Sequence, residues 1–333
     1  MNAMGRVAVI GSGSWGTALA KLLMEHCEEI GWYFHRQEAI DEFRRCGHNP
    51  VYLSDVSFDT QRIGFTSDVN EAVASADTLV IAVPSPYLRD TADCISVDIS
   101  EKNIVSAVKG IVPRSNMLVT DFFETRFGCR RDNLLAIGGP CHAEEVALER
   151  LSYLTIGCSD LDKSRRFSEL IAGKKMKTIV SRDVSGVEYA AVLKNVYAIA
   201  AGIISGMKAG DNFMAMMVSN AIREMARFVD AIAPVEGRDI CRSAYLGDLL
   251  VTAYSRFSRN HNFGAMIGKG YRVKAAMMEM EQVAEGYYAT DCIHRINAEG
   301  TKVSMPILDC VYSILYENRS PRRAIDAIVD TFS

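Results

Sequence analysis

Apolar and polar positions follow two regimes along this chain. Up to about residue 182, short β-branched runs alternate with stretches of helical spacing; beyond it only helical spacing persists. The runs at residues 6–10, 30–34, 78–83, 104–107, 134–137, 153–156 and 177–180 predict strands. Helices are expected between them at 17–27, 68–74, 142–149 and 161–171. From Asp183 to Met207 a long helix is expected, apolar on every face beyond Tyr189 except at Lys194 and Asn195, with Asp183 able to cap its first turn. An amphipathic helix follows at 212–232, whose methionines Met214, Met216, Met217 and Met225 read as core filling, and further helices are expected at 249–257, 273–284, 289–299, 306–317 and 322–332. The pattern is α/β, then all-α, with domains at 1–182 and 183–333 and no linker or internal repeat between them.

Between the first strand and the first helix stands Gly11-Ser12-Gly13-Ser14-Trp15-Gly16. In a strand–turn–helix setting the first glycine permits a tight turn, the second lets a pyrophosphate approach the backbone, and the third lets helix pack on strand. The helix amino terminus then faces the anion, so the first half reads as a Rossmann-type dinucleotide-binding domain. An acid at the end of the second strand would bind the ribose 2′-hydroxyl of NAD; this strand ends instead in His35-Arg36, which suits the 2′-phosphate of NADP, with NAD tolerated. Ligands in such sheets lie at the carboxyl ends of strands, where Lys109 and Gly139 are placed.

Lys194 is the polar anomaly in a helix expected to be buried. A buried ammonium needs a counter-charge or loses its proton, whereas a lysine at a helix flank can snorkel to water. A net charge of −4 argues against nonspecific binding to nucleic acid or an anionic membrane. The nine cysteines, with no Cys-x-x-Cys pair, read as reduced thiols, and neither an export leader nor a metal-ligand spacing is found, so a cytoplasmic setting without a metal is expected.

Three further pieces complete an ordered set: Gly247-Asp248-Leu249-Leu250-Val251-Thr252, Ser258-Arg259-Asn260-His261-Asn262-Phe263-Gly264 and Val283-Ala284-Glu285-Gly286. With the glycine turn, Lys109-Gly110, Gly139-Pro140 and Leu193-Lys194-Asn195-Val196, the set resembles the bacterial NAD(P)-dependent glycerol-3-phosphate dehydrogenases from near the first residue to about residue 290. The resemblance implies interconversion of dihydroxyacetone phosphate and sn-glycerol 3-phosphate for phospholipid synthesis, in a cytoplasmic homodimer. It implies Lys194 as general acid/base, with Lys109 and Asp248 beside it in the catalytic set. Substrate contacts are implied for Lys109, Gly139, Cys141, Lys194, Asn195, Asp248, Ser258, Arg259 and Asn260. Cofactor contacts are implied for Gly11, Gly13, Ser14, Trp15, Gly16, His35, Arg36, Lys109, Ala143, Arg259, Val283 and Glu285. Cys141 departs from the usual Ser or Thr, and Tyr245 from a usual glycine before Leu-Gly-Asp.

The residues read by themselves agree. Hydride reduction of a ketone leaves an alkoxide that a nearby ammonium can stabilise and protonate, and Arg259 with Asn260 could grip a phosphate dianion. Without the family, Arg256, Arg259 and His261 read as a solvated basic loop; a purely structural Lys194–Asp248 ion pair is the lesser alternative to the catalytic one. Two other functions stay open: a hydroxyacid dehydrogenase holding a carboxylate substrate, and a noncatalytic NADP(H) redox sensor.

Overall fold

The computed structural model describes residues 4–255, 257–280, 282 and 284–332. Two compact units divide the chain: one holds the residues up to Val108 together with Leu118–Val187, the other Lys109–Met117 and everything from Glu188 onward. The expected boundary at 182/183 and the change of unit at 187/188 both fall at the start of the long helix.

The first unit alternates strands and helices: β1 (Val7–Ile10), α1 (Ser14–Met24), β2 (Ile30–Tyr33), α2 (Gln37–Cys46), β3 (Ile63–Thr66), α3 (Val69–Ala74), β4 (Thr78–Ile81), α4 (Ser85–Asp93) and β5 (Asn103–Ser106). After these come α5 (Val119–Phe127), β6 (Leu134–Gly138), α6 (Ala143–Ala147), β7 (Ser152–Cys158), α7 (Leu161–Ile171) and β8 (Met176–Ser181). They form one sheet in the order β3-β2-β1-β4-β5-β6-β7-β8. All neighbours run parallel except β6 and β7. Chain order reverses between β1 and β4, which makes that point the ligand crevice of such a sheet. Every residue of β1 and β4 is buried, as a central strand covered on both faces requires. Trp32 of β2, Phe34 just beyond its end, Phe43 of α2 and Phe65 of β3 pack into one aromatic cluster, with Trp32 and Phe34 centroids 5.0 Å apart.

The hydrophobic pattern picks out neither β3, α2, α4 nor α5. Pro84-Ser85-Pro86 reads as a stop after β4, yet it also opens α4, where a proline fits a first turn whose N–H has no helical partner.

The long helix α8 (Val184–Gly206) starts as expected: the Asp183 carboxylate accepts the Gly186 N–H at 3.0 Å. It is buried from Gly186 through Ile204. By length and apolarity it could cross a membrane, but its most apolar window lies wholly inside the protein. The second unit continues with α9 (Asp211–Ile232), α10 (Asp248–Tyr254), α11 (Arg259–Gly268), α12 (Val273–Glu279), α13 (Glu285–Ile296), α14 (Pro306–Leu315) and α15 (Pro321–Asp326). No strand follows residue 182 among the described residues. Of the four methionines of α9, Met214, Met217 and Met225 are buried, but Met216 is 42% exposed and fills no core.

The segment from Arg259 is helix α11, not a basic loop. Ser258 caps it, accepting the His261 N–H at 3.2 Å. α11 lies directly on α8 because both carry glycine where they touch: a Cβ on Gly264 would stand 2.1 Å from the Ile199 carbonyl oxygen, and one on Gly202 2.0 Å from that of His261.

Candidate active site

In the first unit the glycine turn follows β1, at the carboxyl end of the central strand. Gly11 has φ +120°, and a Cβ there would stand 2.8 Å from the Ala82 backbone, so only glycine fits. A Cβ on Gly16 would stand 2.4 Å from the Gly11 carbonyl oxygen. Gly13 differs: a side chain there would meet nothing of the protein, which leaves open the space a pyrophosphate needs. No acidic residue stands in the first turn of α1 to repel an anion. The turn therefore fits a dinucleotide phosphate. Ser14 is buried and Trp15 half-buried in that first turn, while His35 and Arg36 are exposed beyond the end of β2. Gly139 and Cys141 lie between β6 and α6, both buried, and Ala143 is the first residue of α6. Gly139 has φ +119°. Its Cβ would reach within 2.9 Å of the Tyr153 carbonyl oxygen.

In the second unit Lys194 is 3% exposed and donates through Nζ to the Asp248 carboxylate, itself wholly buried. The ammonium has found its counter-charge, and the snorkelling alternative fails. Asp248 opens α10 directly after a π-helical turn at Ser243–Gly247, its N–H bonded to the Ser243 and Tyr245 carbonyl oxygens. The Thr252 hydroxyl, one turn on, donates to the Asp248 backbone oxygen at 2.6 Å and lies 3.5 Å from its carboxylate. Sequence reasoning passed over Thr252, although the four-residue spacing on a helix was visible.

Around this pair the unit gathers other expected residues. The Asn195 side-chain nitrogen donates to the Lys109 carbonyl oxygen at 2.8 Å, so Asn195 braces the segment carrying Lys109. The Asn260 side-chain oxygen Oδ1 accepts the Gly286 N–H at 2.9 Å, which ties α11 to the first turn of α13, where Glu285 stands. A Cβ on Gly286 would in turn stand 2.6 Å from the Asn195 carbonyl oxygen. Lys109, Lys194, Asn195, Asp248 and Asn260 are thus linked by these bonds, by the chain adjacency of Lys194 and Asn195 and by the close approach at Gly286, which Glu285 precedes. Ser258 is buried, and its oxygen is the α11 cap rather than an outward hydroxyl. Arg259 is exposed, its guanidinium donating to the Gln282 side chain at 2.9 Å. Burial pushes the His261 imidazole below its ordinary pKa, so the segment is less basic than it reads. Tyr245 is accommodated, buried in a π-helical turn at Ser243–Gly247 just before Asp248. Val283, expected at the cofactor, lies outside the described residues, as does Arg256. All nine cysteines are free thiols, as their scattering implied.

Family comparison bears on what these two groups of residues do. The model described as NAD-dependent glycerol-3-phosphate dehydrogenase N-terminus matches residues 6–164, and that of the C-terminus residues 183–326. The NAD(P)+ glycerol-3-phosphate dehydrogenase of Lysinibacillus sphaericus is 33% identical over 330 residues, covering 98% of this chain and 96% of that protein. That of Chlorobium limicola is 35% identical over 325 residues, covering 96% of each. The crystal structure of glycerol-3-phosphate dehydrogenase from Coxiella burnetii superposes with a TM-score of 0.89 at 27% identity, over 98% of this chain and 99% of that one. Matched in both halves and by relatives along nearly its whole length, this chain belongs to the NAD-dependent glycerol-3-phosphate dehydrogenase family.

Proposed function

We propose that the chain interconverts dihydroxyacetone phosphate and sn-glycerol 3-phosphate with Lys194 as the proton donor and acceptor, supplying glycerophospholipid synthesis in the cytoplasm. The observation that carries the role of Lys194 is its burial against Asp248 in a chain of this family. The bound nicotinamide cofactor supplies or accepts the hydride. In the reducing direction the Lys194 ammonium donates a hydrogen bond to the ketone oxygen, stabilises the negative charge that develops there and hands over a proton. In the oxidising direction the neutral amine takes the alcohol proton. Asp248 aims the amine and, by its charge, favours the ammonium. Thr252 holds the backbone of Asp248 in place. Lys109, braced by Asn195, brings a second cation to the reacting groups. Arg259 and Asn260 are the proposed grip on the phosphate, a forked cation beside an amide.

Both NAD and NADP serve enzymes of this kind, and we infer a preference for NADPH here from the exposed His35-Arg36 end of β2. A homodimer is the proposed assembly, the commonest closed form for such a chain.

Initial rates with NADPH and NADH, each with dihydroxyacetone phosphate and with unphosphorylated 2-oxo acids, test the reading. Oxidation of NADPH with the phosphorylated ketone is expected, faster than with any 2-oxo acid. No oxidation of either cofactor at any pH would remove the enzyme reading, and a faster 2-oxo acid would replace the substrate class.

A further inference from the structure

The carbonyl oxygens of three consecutive residues in the glycine turn are each held by a side chain. Trp32 Nε1 donates to Gly11 at 3.0 Å. Asn49 Nδ2 donates to Ser12 at 3.0 Å. The Thr17 hydroxyl donates to Gly13 at 2.9 Å, alongside the helical bond from the Thr17 N–H. A trans peptide points its N–H opposite to its carbonyl. Holding these three oxygens therefore turns the N–H groups of Ser12, Gly13 and Ser14 the other way, as a set.

Asn49 joins these bonds together. It is 2% exposed, and its amide nitrogen bonds both Ser12 and, at 2.8 Å, the Thr17 hydroxyl. Its carbonyl oxygen accepts the N–H groups of Val51 and Tyr52, each at 3.0 Å. Two donors and two lone pairs are then all used, so the amide cannot turn over without losing bonds.

We propose that Asn49 is a positioning residue for the cofactor: by fixing Ser12 and Thr17 it presets the backbone N–H groups of the glycine turn to receive a pyrophosphate. The proposal rests on the reading of that turn as the dinucleotide site. A preset donor array does not have to be ordered when the anion arrives, so its loss weakens binding without touching hydride or proton transfer. The effect belongs to any ligand with the pyrophosphate and to none lacking it.

Three variants separate the possibilities. Asn49→Asp keeps both acceptor bonds to Val51 and Tyr52 but loses the donors to Ser12 and to the Thr17 hydroxyl. Thr17→Val keeps the shape of a buried residue, adds no charge and removes the hydroxyl. Gly13→Val tests the turn itself: Gly13 has φ −71° and ψ 179°, open to any residue, and its Cβ would meet nothing of the protein, so the variant folds. Dissociation constants are measured for NADPH, ADP-ribose and adenosine, with steady-state constants beside them. Asn49→Asp and Thr17→Val are expected to bind NADPH and ADP-ribose about tenfold more weakly, as when one N–H of the loosened turn no longer meets the charged pyrophosphate, with adenosine unchanged. The KM for the cofactor rises to match, while kcat at saturation and the KM for dihydroxyacetone phosphate stay within about twofold, as uniform binding loss requires. Gly13→Val is expected to bind neither pyrophosphate ligand. Loss of binding in Gly13→Val with wild-type affinity in the other two overturns the role of Asn49 alone, as does loss of fold in both. Wild-type affinity in Gly13→Val overturns the reading of the turn, and the proposal with it.

Discussion

Lys194 and Asp248 admit two roles that a single substitution does not separate. Removing one partner leaves the other charge buried and uncompensated, which destabilises by about 3–5 kcal/mol, so a dead variant of either residue could simply be a damaged fold. The double variant separates them. Lys194→Met alone is expected to lose stability and about 10²–10⁴-fold in kcat, and Lys194→Met with Asp248→Asn to regain most of the stability but none of the rate. Denaturant midpoints and kcat measured on both proteins check this; a rate that returns together with the fold would make the pair structural. Arg36 poses the corresponding question for the cofactor. Its guanidinium is exposed beyond β2, where an NAD-selective chain would carry an acid. Arg36→Ala is expected to raise the KM for NADPH about tenfold or more and to spare NADH, as loss of a charge-assisted bond to one phosphate would. Equal losses for both cofactors would remove the 2′-phosphate assignment.

At the scale of elements, what could be read in the sequence was what local chemistry dictates. The glycine turn between β1 and α1, the Asp183 cap and the buried amine on α8 follow from spacing and polarity alone. The helix α11 did not, because its first turn reads Arg-Asn-His-Asn and its helical character comes from the Ser258 cap and from contact with α8. Thr252 and Asn49 escaped for a related reason: an amide or hydroxyl in a turn acquires its meaning from partners far along the chain, as when Asn49 meets Ser12 and Thr17. The crossing of α8 and α11 can itself be tested. Gly264→Ala puts a methyl into the Ile199 carbonyl and is expected to destabilise by about 1–3 kcal/mol or more, displacing Asn260 and raising the substrate KM. Gly300→Ala, whose added carbon meets nothing, is the control and should stay within about 0.5 kcal/mol of wild type. Equal stability of the two variants by urea unfolding would show that the helices do not depend on glycine there.

Across the whole chain, stability depends on a carboxylate that no reading of composition revealed. Glu224 of α9 is completely buried, and its two oxygens accept the N–H groups of Ile307 and Leu308, each at 2.9 Å, at the start of α14. Those bonds and the Arg227 charge favour the carboxylate, while Asp309 opposes it and burial outweighs all, so its pKa is pushed up from 4.5 to about 7. The Tyr197 hydroxyl, also buried, is held well above its ordinary pKa by burial first and the Glu224 charge second, so it stays neutral and offers no counter-charge. Folding therefore takes up a proton at Glu224 between the unfolded and folded pKa values. Its contribution is fully present below about pH 4.5, falls as pH rises toward 7 and is flat above, a swing of about 3 kcal/mol. Gln cannot titrate, so Glu224→Gln is expected to lack this slope: from about pH 8 down to pH 5 the wild type should gain about 2.5 kcal/mol, most of the swing, relative to the variant. Guanidinium unfolding of both proteins across that range measures the difference directly. Parallel curves would mean that the two backbone bonds at α14 hold the charge as well as water does, and that burial of this carboxylate sets no pH limit on the fold.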